Sequence, residues 1–296
     1  EIRRRNILQV GDKVFTGVVV NETASSLPVC LDKVEEAISR MQNVQPSSGK
    51  LNGVGFALAA QTMGLGAKVP DNSTHRLEWL PDGKVRIYLG APDLGQGLAT
   101  AAEQITAEAL GIPVDSVEAT NIDTWVVPKG GTTCASRMTF MTGNALLAAS
   151  ENLKQSLVEH ASRILKIPAD QISYNRGMIQ IPDGRNLPAI EFTNRLADTG
   201  ERLVSEATAS FPYPPETTPQ HLPPGMPHVM FCYGAQVARV EVDPELGTVE
   251  VKEVLAVHDV GKIINRQGVE GQIEGGVMMG IGYALYEEMI QKQNGN

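Results

Sequence analysis

Gln96 stands between two glycines at the end of Gly90-Ala-Pro-Asp-Leu-Gly-Gln-Gly97, directly ahead of a helical pattern that opens at Leu98. Glycine on either side lets the chain turn tightly and lets a ligand reach the main chain. The helix start beyond it offers unpaired N–H groups and a partial positive charge to an anion. The Gln96 carboxamide adds a donor and an acceptor. On its own, Gly-Gln-Gly also reads as an ordinary strand-to-helix turn. A second segment, Gly130-Gly-Thr-Thr-Cys134-Ala135-Ser136-Arg137, runs through Met138 to Gly143-Asn144 and into the longest helical pattern. It sets small and hydroxyl side chains at a helix entrance with several N–H groups free. Cys134 has no histidine nearby to activate it, so its sulfur reads as a packing group. Arg137 can meet an anionic ligand or pair with an acidic neighbour.

The third segment is Gly268-Val-Glu-Gly271-Gln272-Ile-Glu274-Gly-Gly276, and it carries six glycines in fifteen residues through Gly282. Each glycine inside a helix costs about 1 kcal/mol relative to alanine. Close backbone packing or close ligand approach is the compensation to expect. Packing alone does not account for Gln272 at the mouth of the same helix. Together the three segments describe one pocket made of three helix N-termini, suited to a large polar anionic ligand held through N–H groups and carboxamides.

Other residues invite a stronger reading than they support. His258 and Asp259 are adjacent on a strand and so point to opposite faces, and Asp259-Val-Gly261 reads as a turn held by the aspartate. His75 and His160 read as surface positions, and His221 and His228 flank a proline-rich loop without a partner carboxylate.

The elements that must position these segments are legible in outline. A helix is expected over 31–42, and Pro46-Ser-Ser-Gly49 closes it. Strands follow at Gly53–Leu65, Arg76–Leu80 and Lys84–Leu89, the last two joined by Pro81-Asp-Gly83. Further hairpins turn at Asp183-Gly184, and at 243–247 between Gln236–Val242 and Thr248–Val257. Helices are expected over 98–110, 143–165 and 270–289, from apolar residues recurring at helical spacing. Seven prolines among the seventeen residues from Phe211 to Pro227 rule out regular helix there and mark a crossover loop. The expected fold class is α+β: an N-terminal helix and linker segment (1–49), a first lobe (50–210), the proline-rich crossover (211–227) and a second lobe (228–296).

Composition narrows the function classes. The chain is 42% hydrophobic and carries a net charge of −9, which disfavours a nucleic-acid or anionic-membrane surface. The most apolar stretch near the C-terminus, Val277–Tyr286, is far short of the roughly 20 residues of a membrane span. The three cysteines are far apart and odd in number, which points to a reducing, cytoplasmic compartment. Both ends read as continuing into something larger.

Leu94-Gly95-Gln96-Gly97, Thr133-Cys134-Ala135-Ser136-Arg137 with Thr142-Gly143-Asn144, and His258-Asp259-Val-Gly261 followed by Glu270-Gly271-Gln272-Ile-Glu274-Gly-Gly276 resemble, in order and spacing, the molybdopterin-binding part of the xanthine dehydrogenase/aldehyde oxidase family of molybdenum hydroxylases. The resemblance covers essentially the whole chain. It implies a molybdopterin cofactor, in the cytosine dinucleotide form, whose own sulfurs hold molybdenum, so that the protein supplies hydrogen bonds and no metal ligand. By position, Leu94, Gly95, Gln96 and Gly97 lie against the pterin and phosphate. Cys134, Ala135, Ser136 and Arg137 lie beside cofactor and substrate, and Gly271 and Gln272 approach the molybdenum.

The reaction the resemblance implies is oxidative hydroxylation of a purine or other N-heterocycle with water as oxygen source. Electrons leave through 2Fe-2S clusters to FAD on partner chains or domains. An aldehyde oxidoreductase and a CO dehydrogenase-like member are the alternatives within the family; a glycine-rich scaffold without cofactor is the alternative outside it. The general-base glutamate of the family falls beyond residue 296, so Gln272 is the catalytic candidate here. The expected partners are a preceding molybdopterin domain or subunit, an iron–sulfur subunit and an FAD subunit.

Overall fold

The computed structural model describes residues 1–14, 17–20, 26–120, 123–213 and 222–291. In chain order the elements are α1 (Ile2–Asn6), α2 (Leu27–Gln42), β1 (Leu51–Met63), β2 (Asn72–Trp79), β3 (Val85–Tyr88), α3 (Leu98–Leu110), β4 (Val117–Ala119), α4 (Met138–Leu165), β5 (Ser173–Asn175), β6 (Met178–Gln180), β7 (Asn186–Pro188), α5 (Ile190–Thr193), α6 (Leu196–Thr199), β8 (Leu203–Ser210), β9 (Met230–Asp243), β10 (Thr248–Asp259) and α7 (Arg266–Leu285). The α+β class holds.

Two compact units result: residues 1–63 with 215–296, and residues 64–214. The partition does not follow chain order as lobes 50–210 and 228–296 would. β1 pairs antiparallel along its whole length with β9, from Leu51 opposite Val242 to Met63 opposite Met230. That ladder ties the early strand to the C-terminal part of the chain.

In the first unit the sheet order is β1-β9-β10, all antiparallel. Cys30, Val34, Ala37 and Met41 recur at three- and four-residue spacing on α2 and are buried with Ala235 and Val237 of β9. Helix α2 begins four residues earlier than its apolar pattern indicates, because Pro28 sits in its first turn, where a missing N–H costs nothing.

In the second unit a four-stranded sheet runs β4-β3-β2-β8. The expected hairpin of β2 and β3 is present, with Trp79 opposite Val85. β3 and β4 are parallel, joined by the crossover helix α3, as a parallel pair requires. β4 has only three residues and is too short for an alternation pattern. Leu77, Ile87, Leu146, Leu153 and Leu157 fill the core with 2% exposure or less, each burial worth about 1.5–3 kcal/mol. Helix α4 starts at Met138, five residues ahead of expectation. Gly143 lies inside it, and a Cβ there would stand 3.3 Å from Ile105 Cδ1 of α3. The glycine serves helix–helix approach and does not break the helix. The proline-rich segment falls partly outside the described residues (214–221), and with it His221.

Candidate functional site

Within the second unit the first two glycine-rich segments meet. Gly130 N–H donates to the Gly90 carbonyl at 2.9 Å, and Thr133 Oγ1 donates to the Pro92 carbonyl at 3.3 Å. A Cβ on Gly130 would lie 2.1 Å from the Gly90 oxygen, and one on Gly90 2.2 Å from the Pro128 oxygen. These two glycines are therefore explained by two backbones crossing.

The tip of the first loop is organised from within. Asp93 Oδ1 accepts from the N–H of Gly95 at 2.9 Å and of Gly97 at 3.2 Å, and Oδ2 accepts from Ala99 N–H at 3.0 Å. Burial pushes the Asp93 carboxyl up, but the N–H groups of Ala99, Gly95, Gly97 and Leu98 outweigh it and hold it below the usual carboxylate range. The N-terminus of α3 is thus already neutralised by an internal carboxylate, contrary to the expectation of an open anion site. The Gln96 carboxamide also turns back on its own loop, Oε1 accepting from Leu94 N–H and Nε2 donating to the Pro92 carbonyl at 3.3 Å. Gly95 and Gly97 have φ of 103° and 79°, and a Cβ on either would meet nothing within 4 Å. Leu94 is exposed. The tip is a shaped backbone surface facing open space.

The second loop is held from below and strained above. Arg137 is 1% exposed and pairs with Asp71, likewise buried, Nε to Oδ1 at 2.5 Å. Its remaining nitrogens donate to the carbonyls of Thr132 (2.5 Å) and Asn72 (2.9 Å). Of the two roles open to Arg137, the acidic neighbour is the one the structure shows, and the guanidinium does not face a ligand. Ala135 and Ser136 are consecutive left-handed residues, φ 54° and 49°. Such conformations cost a non-glycine residue of order 1–3 kcal/mol each and gather at ligand sites. Among the described residues neither N–H of the pair has an acceptor. Cys134 is exposed, so a packing role for its sulfur is not what this unit shows.

Beneath both loops lies a group that the residue pattern did not reveal. His75 is fully buried, not a surface position. Its Nδ1 accepts from Gly90 N–H at 3.1 Å and its Nε2 is 2.8 Å from Ser73 Oγ, which donates to the Gly130 carbonyl at 2.8 Å. Burial first, and the charge of Arg137 second, lower its pKa to about 4, so the ring is neutral. His160 is buried as well, between Glu201 at 3.0 Å and the Phe192 carbonyl at 3.2 Å. The alternation Ser73–His75 on β2 was the available signal for an inward-facing pair, and Asp93 two residues before Gly95 was the signal for a capping carboxylate.

In the first unit α7 opens at Arg266, with Asn265 as N-cap accepting from Gly268 N–H at 2.8 Å. Gln272 is therefore in the second turn of the helix and not at its mouth. Among the described residues α7 buries no side chain; a Cβ on Gly271, Gly275, Gly276 or Gly280 would meet nothing within 4 Å. Its glycines leave a bare backbone strip, with Gln272 exposed along it. Glu274 is exposed too, and Glu270 pairs with Arg266 at 2.7 Å. Asp259 accepts from Gly261 N–H at 2.9 Å, the turn expected of it. No helix of the described residues is long and apolar enough to cross a membrane.

The model of the molybdopterin cofactor-binding domain matches residues 30–296. The chain belongs to that family. The domain is 32% identical over 305 residues to the xanthine dehydrogenase molybdenum-binding subunit of Escherichia coli O157:H7, covering 98% of this chain and 38% of the relative. It is 29% identical over 320 residues to the nicotine 6-hydroxylase large subunit of Paenarthrobacter nicotinovorans, covering 100% and 37%. The domain shares its fold with quinoline 2-oxidoreductase from Pseudomonas putida 86, at a TM-score of 0.77 and 24% identity over 99% of this chain and 38% of that one. The chain thus spans well under half the length of these relatives.

The donor set fits a molybdopterin. Two strained residues with N–H groups unpaired among the described residues and a serine hydroxyl are neutral hydrogen-bonding groups, suited to the heteroatom-rich edge of a pterin. The glycine-edged tip adds an open backbone surface whose N–H groups at Gly95 and Gly97 are already held by Asp93.

Proposed function

We propose that this domain forms part of the molybdopterin wall in the large subunit of a molybdenum hydroxylase acting on an electron-poor N-heterocycle such as a purine. The observation that carries this is the Ala135–Ser136 pair, strained, with unpaired N–H groups, on a loop whose base is locked by the buried Arg137–Asp71 ion pair. Strain maintained by so firm a support is the mark of a binding surface. The substrate class follows the names of the relatives, since xanthine, nicotine and quinoline are all N-heterocycles.

When bound, the cofactor supplies oxidative hydroxylation with water as the oxygen source. The residues of this chain bind and orient. The tip from Leu94 to Gly97 lies against the neutral pterin edge, and the Asp93 carboxylate keeps phosphate oxygens away from the start of α3. Gln96 shapes that tip by holding Leu94 and Pro92. Ala135 and Ser136 direct their N–H groups at the cofactor beside the substrate position, with Cys134 alongside. Gln272 offers its carboxamide toward the molybdenum ligands, and Gly271 lets that group approach the backbone of α7. The cytosine dinucleotide form, the 2Fe-2S and FAD partners and a cytoplasmic setting belong to the same proposal.

Gln96→Ala in the full-length subunit, assembled with its partners, is expected to weaken cofactor retention about fivefold, the effect of losing about 1 kcal/mol of hydrogen bonding. Molybdenum content after dialysis reads it. Wild-type content would remove Gln96 from this role. Turnover of an aldehyde or of CO, with none of a purine, quinoline or nicotine, would replace the substrate assignment.

A further inference from the structure

The first four residues of β2 act as a spine for both loops. Asn72 accepts from Arg137 Nη2 at 2.9 Å, Thr74 N–H donates to the Lys129 carbonyl at 3.1 Å, Ser73 holds Gly130, and His75 holds Gly90. Ser73 and His75 are two apart on one strand, so both side chains reach the same face. The hydrogen bonds run in one direction only. Gly90 N–H donates to His75 Nδ1, so the ring proton sits on Nε2 and donates to Ser73 Oγ; the Ser73 hydroxyl then donates to the Gly130 carbonyl. Gly130 N–H in turn donates to the Gly90 carbonyl, which closes a ring of four hydrogen bonds. An apolar side chain could fill the same space without desolvating an imidazole, so packing does not explain the choice.

We propose that His75, acting through Ser73, is a positioning residue that sets the spacing of the Gly90–Gly97 and Gly130–Arg137 loops and so the width of the cofactor surface they form together. The assignment rests on the cofactor reading above. Because both loops hang from one buried polar ring, a shift at its centre moves Gly90 and Gly130 apart, and the strained Ala135–Ser136 pair moves with the second loop. An imidazole bound to both partners allows a single spacing; an apolar ring in its place allows several.

The test uses the full-length subunit assembled with its partner subunits. Molybdenum per protein, pterin fluorescence after oxidation, melting temperature and the split between kcat and KM are measured for wild type, His75→Phe, His75→Asn and Ser73→Ala. His75→Phe, which keeps the volume and loses both ring nitrogens, is expected to retain cofactor about tenfold more weakly, as the loss of a buried hydrogen bond with an orphaned partner implies. His75→Asn, whose Oδ1 can accept from Gly90 N–H, is expected to recover most of that loss. A His75→Phe complex with full molybdenum and unchanged kcat and KM overturns the assignment. A lowered melting temperature with full cofactor content overturns it as well, since that is a fold role alone. If His75→Phe does not accumulate, Ser73→Ala decides by the same criteria. A wild-type complex without molybdenum refutes the underlying cofactor reading, a failure visible before any variant is made.

Discussion

Gln272→Ala is expected to lower turnover of the assembled enzyme by about 10²–10³-fold, the range found when a single carboxamide or N–H donor is taken from a reacting centre. Unfolding free energy should stay within about 0.5 kcal/mol of wild type, as for surface substitutions generally. The turnover half follows from the place proposed for Gln272 beside the molybdenum, and the stability half from where the residue stands. It lies in the second turn of α7, exposed on a helix that buries no side chain among the described residues, and alanine is the better helix former. The loss should fall on kcat more than on molybdenum content. Wild-type turnover in a fully loaded Gln272→Ala complex would remove Gln272 from the mechanism, and a collapse in stability would show that the carboxamide is a fold element.

The second large effect lies at Arg137. Arg137→Met should destabilise the protein by about 3–5 kcal/mol, because Asp71 is left charged and unpaired in the interior. Two carbonyls, of Thr132 and Asn72, lose their donor in the same step. Urea unfolding of the variant reads the loss. Replacing Asp71 and Arg137 together with apolar residues of similar volume should recover most of it, since the penalty belongs to the orphaned charge. A single-variant loss below about 1 kcal/mol would mean that the pair is solvated, contrary to its 1% side-chain exposure.

Where the pattern in the chain is periodic or turn-forming, the fold was legible. Helix α3 runs from Leu98 to Leu110 as its apolar spacing indicates, and the hairpins at Pro81-Asp-Gly83, Asp183-Gly184 and 243–247 are present. Boundaries failed where a residue that breaks helices elsewhere is tolerated: Pro28 in the first turn of α2 and Gly143 in the body of α4. Unit membership failed at β1, because which distant strand a strand joins is decided by tertiary pairing and not by local propensity.

For the candidate site, the residue pattern singles out segments and not contacts. Residue types showed that the loops around Gln96 and Ser136 are special. They did not show that Asp93 had already claimed the N–H groups of the first loop, or that Arg137 would turn inward to Asp71. A capping aspartate or an inward arginine depends on backbone geometry, which composition does not carry. His75 belongs to the same class, since it falls just ahead of the strand expected at Arg76–Leu80 and looks exposed until β2 is extended back to Asn72 and placed second from the edge of its sheet.

Elemental and pterin analysis of the full-length subunit, purified with its partner subunits, tests the central claim that this domain holds a molybdopterin. Molybdenum and pterin are expected together in equal amounts, both reduced by Gln96→Ala. A folded, fully assembled complex containing neither would contradict it and leave the glycine-rich loops as a scaffold.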